Sequence, residues 1–478
     1  MKNIAEFNYT ELNKIFYSSK FVNIDSTNWK SIGVSTDSRT LEKGNIFVAI
    51  LGEKFDGHNS LEEAFLRGAS AAIISQSWFN SNKNAIINKF QLIVVNDTVE
   101  ALGQLANFHR SRFNIPIIAI AGSNGKTTTK DLIASILEVK YRVLKTYKSY
   151  NNHIGVPLML FQLSTDYDIA VLEMGTNSPG EIETLSKIID PTDGLITNIG
   201  LEHLEMLTDL DGVEIEETFL FYYLNERGRR CFINMDDERL LKYEQFMTNH
   251  CTFGTMSNSE HVLKIEFDSA LHPILSISNS YMQDPLIVGI NATGIAIAYN
   301  SIAAVSIGFS FGLNTLEIVK GLSTYQPDTT NLYRRMVVET HKYMYILNDC
   351  YNANPSSMEL ALQTLHMFKN GEIKIAVLGD MNELGVNSNK EHIRTIKYAI
   401  ELADEVIVIG PNMQKAAYEI IQENSNANLK VFGNYYEIAS YFRIYSNIIT
   451  NIAKSCAILV KGSRQAEMEK LIKMLKDI

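Results

Sequence analysis

Short, wholly apolar runs alternate with stretches of helical periodicity along most of the chain. Within residues 1–112, Asn45-Ile-Phe-Val-Ala-Ile-Leu has a strand pattern, followed by the turn-like Gly52-Glu-Lys-Phe-Asp-Gly57 and helical spacing through Leu61, Ala64 and Phe65. Ala71-Ala-Ile-Ile and Gln91-Leu-Ile-Val-Val supply two more buried strands. From about residue 113 the strands become uniformly apolar: Pro116-Ile-Ile-Ala-Ile-Ala, Asp168-Ile-Ala-Val-Leu and Gly194-Leu-Ile-Thr-Asn-Ile. Between them, Leu132, Ile133, Ile136 and Leu137 mark one face of a helix. Apolar strands alternating with helices predict a parallel sheet covered on both faces. A third unit begins near Tyr325, with strands at Tyr345-Ile-Leu, Lys374-Ile-Ala-Val-Leu, Glu405-Val-Ile-Val-Ile and Ala457-Ile-Leu-Val. Gly379, Gly410 and Gly462 follow the last three, at the strand ends where open α/β sheets bind ligands. The fold class expected is α/β in three domains, 1–112, 113–324 and 325–478: a small α/β unit, a central P-loop parallel sheet and a Rossmann-like C-terminal sheet. No internal repeat or long linker interrupts them.

The stretch between Asp284 and Glu317 carries no charge and is long enough to span a bilayer. It also holds Asn291, Asn300, Asn314 and glycines at 289, 294, 308 and 312, without basic flanks or aromatic anchors. A buried helix rich in small residues is the expectation, and no membrane insertion.

Composition changes this picture little. The chain has 478 residues, 46% hydrophobic and 20% charged, near globular averages. At about 150 residues per domain, that length suits roughly three domains. With 43 basic against 54 acidic residues the net charge is −11, which argues against nucleic acid or an anionic membrane as a bulk partner. Cys231, Cys251, Cys350 and Cys456 lie far apart with no C-x-x-C pair, so neither a disulfide framework nor a zinc site is expected. The N-terminus lacks the apolar core of a signal peptide, and a cytoplasmic protein is the expectation.

Chemistry enters at Gly122-Ser-Asn-Gly-Lys-Thr-Thr-Thr, between a buried strand and a helix start. Its glycines admit phosphate oxygens close to backbone N–H groups, and the helix N-terminus adds a favourable dipole. Lys126 supplies a point charge for the β/γ phosphates and Thr127 a hydroxyl for Mg²⁺. Counted from Gly122 the loop is two residues shorter than G-x-x-x-x-G-K-[ST]; counted back from Gly125, Ile120 stands where that pattern has its first glycine. Gly122, Ser123, Asn124, Gly125, Lys126, Thr127 and Thr128 are the expected contacts to ATP. Glu173 ends the strand Ala170-Val-Leu-Glu, and His203 follows the strand 195–199 through Gly200-Leu-Glu. A carboxylate and an imidazole at strand ends beside such a loop predict Mg²⁺ ligands.

These residues resemble the Mur ligases. The likeness rests on Ala121-Gly-Ser-Asn-Gly-Lys-Thr-Thr-Thr-Lys-Asp, Tyr150-Asn-Asn-His-Ile-Gly-Val-Pro, Leu172-Glu-Met-Gly-Thr-Asn-Ser-Pro-Gly-Glu-Ile and Asn198-Ile-Gly-Leu-Glu-His-Leu-Glu. Asn348-Asp-Cys-Tyr-Asn-Ala-Asn-Pro-Ser-Ser-Met, Leu378-Gly-Asp-Met-Asn-Glu-Leu-Gly and Val460-Lys-Gly-Ser-Arg are similar to the members that join D-alanyl-D-alanine to UDP-N-acetylmuramoyl-tripeptide. In the first unit, Thr36-Asp-Ser-Arg39, Phe47-Val-Ala and Asp56-Gly-His58 match the same family. The resemblance implies an ATP-dependent amide ligase working through an acyl phosphate. The N-terminal domain would hold the UDP-sugar, the central one ATP and two Mg²⁺ ions, and the C-terminal one would close over both and receive the dipeptide. A monomer is the default.

Carried over by position, Thr127 and Glu173 would ligate Mg²⁺ and His203 would support the second ion. Asn151 and Asn152 would lie beside the substrate and γ-phosphate. Arg335 and Asp349 would reach the nucleotide from the third domain; Tyr351, Asn352 and Asn354 would shape the dipeptide region. Ser38, Arg39 and His58 would serve the UDP-sugar.

Four positions depart from the family: Glu217, Phe219 at its glutamate, the partner position of Asn300, and Ser149. Its members usually have G-V-x-x-x-K-x-E after the His motif, with a carbamylated lysine that bridges to the second Mg²⁺. Here the pattern is Gly212-Val-Glu-Ile-Glu-Glu-Thr-Phe, so Glu217 stands at the lysine position, and Glu214 and Glu216 lie close by. Two readings stay open: Glu217 supplies directly the carboxylate that carbamylation creates, or the second metal site is weakened. Of the family's His-Asn pair near the adenine only Asn300 is kept, and Ser149 replaces an Asn before Tyr150. A divergent ligase for another substrate and a catalytically weakened nucleotide-binding scaffold are the competing functions.

Overall fold

A computed structural model describes residues 3–478 except 25–27, 87, 257, 280–282, 329–333, 425–427 and 452–453; the side chains of 279 and 446–451 also lie outside the description. The apolar runs form three sheets. In the N-terminal segment five strands run in the order Lys20–Val22, Leu92–Val95, Ala71–Ser75, Ile46–Val48, Val34–Ser35, parallel except for the first pair. A two-stranded antiparallel ribbon, Glu6–Asn8 with Lys30–Ile32, stands beside them.

The central sheet has nine strands. Ile117–Ala121 is its third strand from one edge, between Ile169–Glu173 and Asp193–Ile196, all parallel, with Ile120 in register with Glu173 and Ala121 with Ile196. That register brings three carboxyl ends to one crevice. Both faces of the middle strand are fully buried, as its unbroken apolar run requires. Ile117, Ala119 and Ala121 pack with Leu185, Leu220 and Leu224; Ile118 and Ile120 pack with Leu132, Ile133 and Ile302. Each Ile or Leu among them contributes about 1.5–3 kcal/mol by leaving water, and each Ala less. The C-terminal sheet has six strands in the order Val337–His341, Met344–Asp349, Cys456–Lys461, Ile373–Gly379, Glu405–Ile409, Leu429–Val431, parallel except for the first pair.

Two expectations are corrected. The central sheet is not wholly parallel: beyond His261–Phe267 it continues through antiparallel Pro273–Asn279 and Leu286–Gly289. The uncharged stretch is therefore not one helix. Its first part is that last strand, alternately buried and exposed, and only Ile295–Ser310 is helical. This helix is rich in small residues because it lies close against the helix Lys126–Leu137: a Cβ on Gly308 would come within 2.8 Å of the Ile136 side chain. No helix among the described residues is long and apolar enough to cross a membrane.

The first boundary, near residue 112, crosses a continuous core in which Phe7, Ile46 and Ile73 share a cluster with Ile117 and Leu172. His109, 3% exposed, stands in it, its Nε2–H donating to the Leu163 carbonyl at 3.0 Å. Burial pushes the imidazole down to about 4 and nearby Arg112 adds to this, against the Leu163 hydrogen bond. The unfolded chain therefore takes up the proton first as pH falls below about 6.5. Stability present above that pH is lost toward pH 4, up to about 3 kcal/mol from this residue. Thermal midpoints measured from pH 7 to pH 5 are expected to fall less steeply in His109→Gln, which keeps a donor but cannot ionise.

Candidate active site

The strand Ile117–Ala121 ends in a turn that a side chain at Gly122 or Gly125 would block. Both have positive φ, 110° and 83°; a Cβ on Gly122 would lie 2.4 Å from Thr197 Oγ1, and one on Gly125 2.5 Å from Asn300 Oδ1. The turn is stapled to the neighbouring loop. Gly200 N–H donates to Ser123 Oγ at 2.8 Å, Asn124 N–H to Asn198 Oδ1 at 3.1 Å, and Asn198 Nδ2 to the Asn124 carbonyl at 3.0 Å. Half-buried Lys126 folds back to donate to the Gly122 carbonyl. Alanine at Gly125 would be strained by φ and by Asn300 together. Calorimetry with Mg-ATP is expected to show roughly tenfold weaker binding for Gly125→Ala.

Four acidic side chains face this turn or its flank. Thr127 Oγ1 donates to Glu173 Oε2 at 3.0 Å, and Lys130 Nζ lies 3.3 Å from Glu173 Oε1. Glu217 is fully buried, its Oε2 accepting the Gly122 N–H at 2.7 Å. Burial pushes its carboxyl up to about 8; Lys126 opposes this, and the nearby Glu202 carboxylate adds to it. Burial works against the charge on Lys126, but Glu202, Glu217 and Glu173 together raise its pKa above the ordinary value. His203 Nδ1 lies 2.5 Å from Glu383 Oε2 and its Nε2 3.9 Å from Glu202 Oε2. Burial disfavours the imidazolium, yet Glu383 and Glu202 lift its pKa above the usual value.

The C-terminal sheet meets the turn directly. Asn124 Nδ2 donates to Ser356 Oγ at 3.0 Å, and Ser149 Oγ lies 2.9 Å from Tyr351 OH. The Arg335 guanidinium stacks on the Tyr351 ring, 3.6 Å from its centroid.

A Mg-nucleotide fits these residues. One buried oxygen each on Glu202 and Glu217 has no hydrogen-bond partner within the protein, and Glu173 Oε1 has only the Lys130 ammonium beside it. With Thr127 Oγ1 they make a hard oxygen donor set beside a phosphate-type turn.

Three stretches match family models: residues 31–110 the Mur ligase family catalytic domain, 120–308 the Mur ligase middle domain, and 334–464 the Mur ligase glutamate ligase domain. A UDP-N-acetylmuramoyl-tripeptide–D-alanyl-D-alanine ligase of Buchnera aphidicola subsp. Baizongia pistaciae is 32% identical over 471 residues, 97% of this chain and 96% of its own. The chain belongs to the Mur ligase family. The Bacillus subtilis ligase of the same name is 36% identical over 356 residues, 74% of each chain. A crystal structure of MurF from Acinetobacter baumannii superposes with a TM-score of 0.87 at 29% identity, covering 100% of both chains.

Measured against the family motifs, several side chains turn inward. His58 is 4% exposed, its Nδ1 lies 2.6 Å from Asp56 Oδ1, and its Nε2 accepts the Ser75 N–H at 3.0 Å, so the ring braces a turn. Asn152 Oδ1 accepts the Gly155 N–H at 2.8 Å, at the start of helix Gly155–Leu160. Asn354 caps helix Pro355–Met367, accepting the Ser357 N–H at 2.9 Å. Of Asp349, one oxygen lies 2.6 Å from Lys461 Nζ and the other accepts the Met336 N–H at 3.1 Å, next to Arg335. Asn352 accepts from Lys461 Nζ and from the Arg464 N–H, at 3.0 and 3.3 Å. Asn151 packs against Gly175, whose N–H its main-chain carbonyl accepts at 2.8 Å. Ser38 Oγ donates to Glu63 at 2.7 Å, whereas Arg39 lies exposed beside Asp37.

Sequence reasoning missed Lys130, Glu202, Ser356 and Glu383. Lys130 follows Lys126 by four residues on the same helix, which puts it on the same side, and Glu202 adjoins His203. Glu383 carries no such local signal.

Proposed function

We propose that this chain joins D-alanyl-D-alanine to UDP-N-acetylmuramoyl-tripeptide, using ATP and forming ADP, in the synthesis of peptidoglycan precursors. The observation that carries the reading is the meeting of the phosphate turn, Glu173 and His203 with Tyr351 and Arg335 in one cleft, in a chain matched over nearly its whole length by such a ligase. One chain carries every residue of that cleft, so a monomer suffices, and the reaction belongs in the cytoplasm, where ATP is available.

The tripeptide carboxylate attacks the γ-phosphorus and ADP leaves; the amine of the dipeptide, having lost a proton, attacks the acyl carbon and phosphate leaves. Two anions must approach each other in the first step, and Lys126 lowers that repulsion from the turn. Thr127 and Glu173 would hold one Mg²⁺, and His203 with Glu217 a second. When bound, these ions supply positive charge to the phosphate oxygens. Arg335, stacked on Tyr351, adds charge from the C-terminal side, and Asn151 lines the approach to it. Arg39, exposed and paired with Asp37, would meet the anionic UDP end. The seal between Asn124 and Ser356 keeps water from an acyl phosphate that would otherwise hydrolyse.

Phosphate release tests this reading. Release that needs both UDP-N-acetylmuramoyl-tripeptide and D-alanyl-D-alanine is the expected result. Equal release with unrelated amines would mark a divergent ligase, and none with any amine a nucleotide-binding scaffold.

A further inference from the structure

His203 and Glu383 face each other across the cleft, and both have left-handed backbone, φ 49° and φ 64°. Such backbone is strained for any residue other than glycine and persists only where surrounding packing imposes it. Packing does so here. A Cβ on Gly385 would sit 3.6 Å from the Glu205 backbone, and Leu204 and Leu207 share a core with Met381 and Leu384. The two strained residues are thus pressed together, Nδ1 to Oε2, at 2.5 Å.

A carboxylate on Nδ1 fixes an imidazole ring in rotation and leaves Nε2 as the atom presented to a ligand. Nε2 of His203 faces the Glu202 side of the cleft. We propose that Glu383 is a positioning residue: seated by the C-terminal segment, it aims His203 Nε2 at a divalent cation, so that this ligand is in place only when the cleft is assembled. The inference rests on reading His203 as a cation ligand. It ties completion of the cation site to docking of the C-terminal sheet, without any contact between Glu383 and the cation.

The test uses the full chain with Mn²⁺ as the probe, its binding followed by electron paramagnetic resonance in the presence of a non-hydrolysable ATP analogue. Glu383→Ala is expected to weaken Mn²⁺ binding about tenfold, with KM for ATP unchanged. Glu383→Gln, whose amide oxygen can still accept from Nδ1–H, is expected to restore most of it. In His203→Ala, adding Glu383→Ala is expected to weaken Mn²⁺ binding no further. Unchanged binding in Glu383→Ala, or additive losses in the double variant, would overturn the proposal. Because the readout is cation binding, it is independent of turnover. A wild-type chain that binds Mn²⁺ but ligates nothing would sink the functional reading and leave this one standing.

Discussion

Lys126→Ala is expected to lower kcat by on the order of 10³-fold, about 4 kcal/mol of transition-state stabilisation. Its ammonium is the cation that leans over the phosphate turn, donating to the Gly122 carbonyl, with Glu173, Glu202 and Glu217 raising its pKa. Water cannot substitute for a charge fixed in a cleft that closes. Losing this cation among acids would ordinarily endanger the fold, because an unpaired buried carboxylate is costly. Here the penalty is limited. Burial pushes the Glu217 carboxyl up and Lys126 opposes this, so once the cation is gone the carboxyl takes a proton instead of standing unpaired. The variant is therefore expected to melt within a few degrees of the wild type, since roughly 1 kcal/mol moves a large domain by only ~2–4 °C. Rapid-quench measurement of ADP formation, alongside a melting curve, checks both halves. Wild-type turnover in Lys126→Ala would remove the turn from the chemistry.

How much of this was legible follows from where each signal resides. The central strands announce themselves because both faces are buried, as in Ile117–Ala121, where every residue is apolar. Leu286–Gly289 lies near the edge of the sheet with Leu286 and Val288 in and Ile287 and Gly289 out; inside an uncharged stretch, that four-residue alternation does not stand out from a helix. The phosphate turn was legible because its glycines, lysine and threonines are adjacent in sequence. The orientation of polar side chains was not. Asn152, Asn354, Asp349 and His58 sit in the right motifs, yet each has at least one side-chain polar atom committed to backbone. Residue type does not say whether an amide faces a ligand or caps a helix. Glu383 needed the docking of two sheets to be found at all.

The acids 214, 216 and 217 show how a helix resolves what a sequence leaves together. On Leu210–Asn225, steps of about 100° per residue send them in separate directions. Glu214 pairs with Arg239 at 2.8 Å and with Lys242 at 2.5 Å. Glu216 accepts the Gly180 and Ile182 N–H groups, at 2.6 and 2.7 Å, at the start of helix Glu181–Ile189. Only Glu217 reaches the phosphate turn, and it has two separable duties there: an oxygen for the Gly122 N–H, and a charge beside Lys126. Glu217→Gln keeps the oxygen and removes the charge. It is expected to fold normally, lower kcat by on the order of 10²-fold and raise the Mg²⁺ concentration for half-maximal rate. Glu217→Ala removes both; leaving the Gly122 N–H buried without a partner costs about 1–3 kcal/mol more, read as a lower melting midpoint than in Glu217→Gln. Initial rates over a Mg²⁺ series and paired melting curves separate the duties. If Glu217→Gln matched the wild type in rate and in Mg²⁺ requirement, the carboxylate would be no cation ligand, and its remaining work would be to brace the turn.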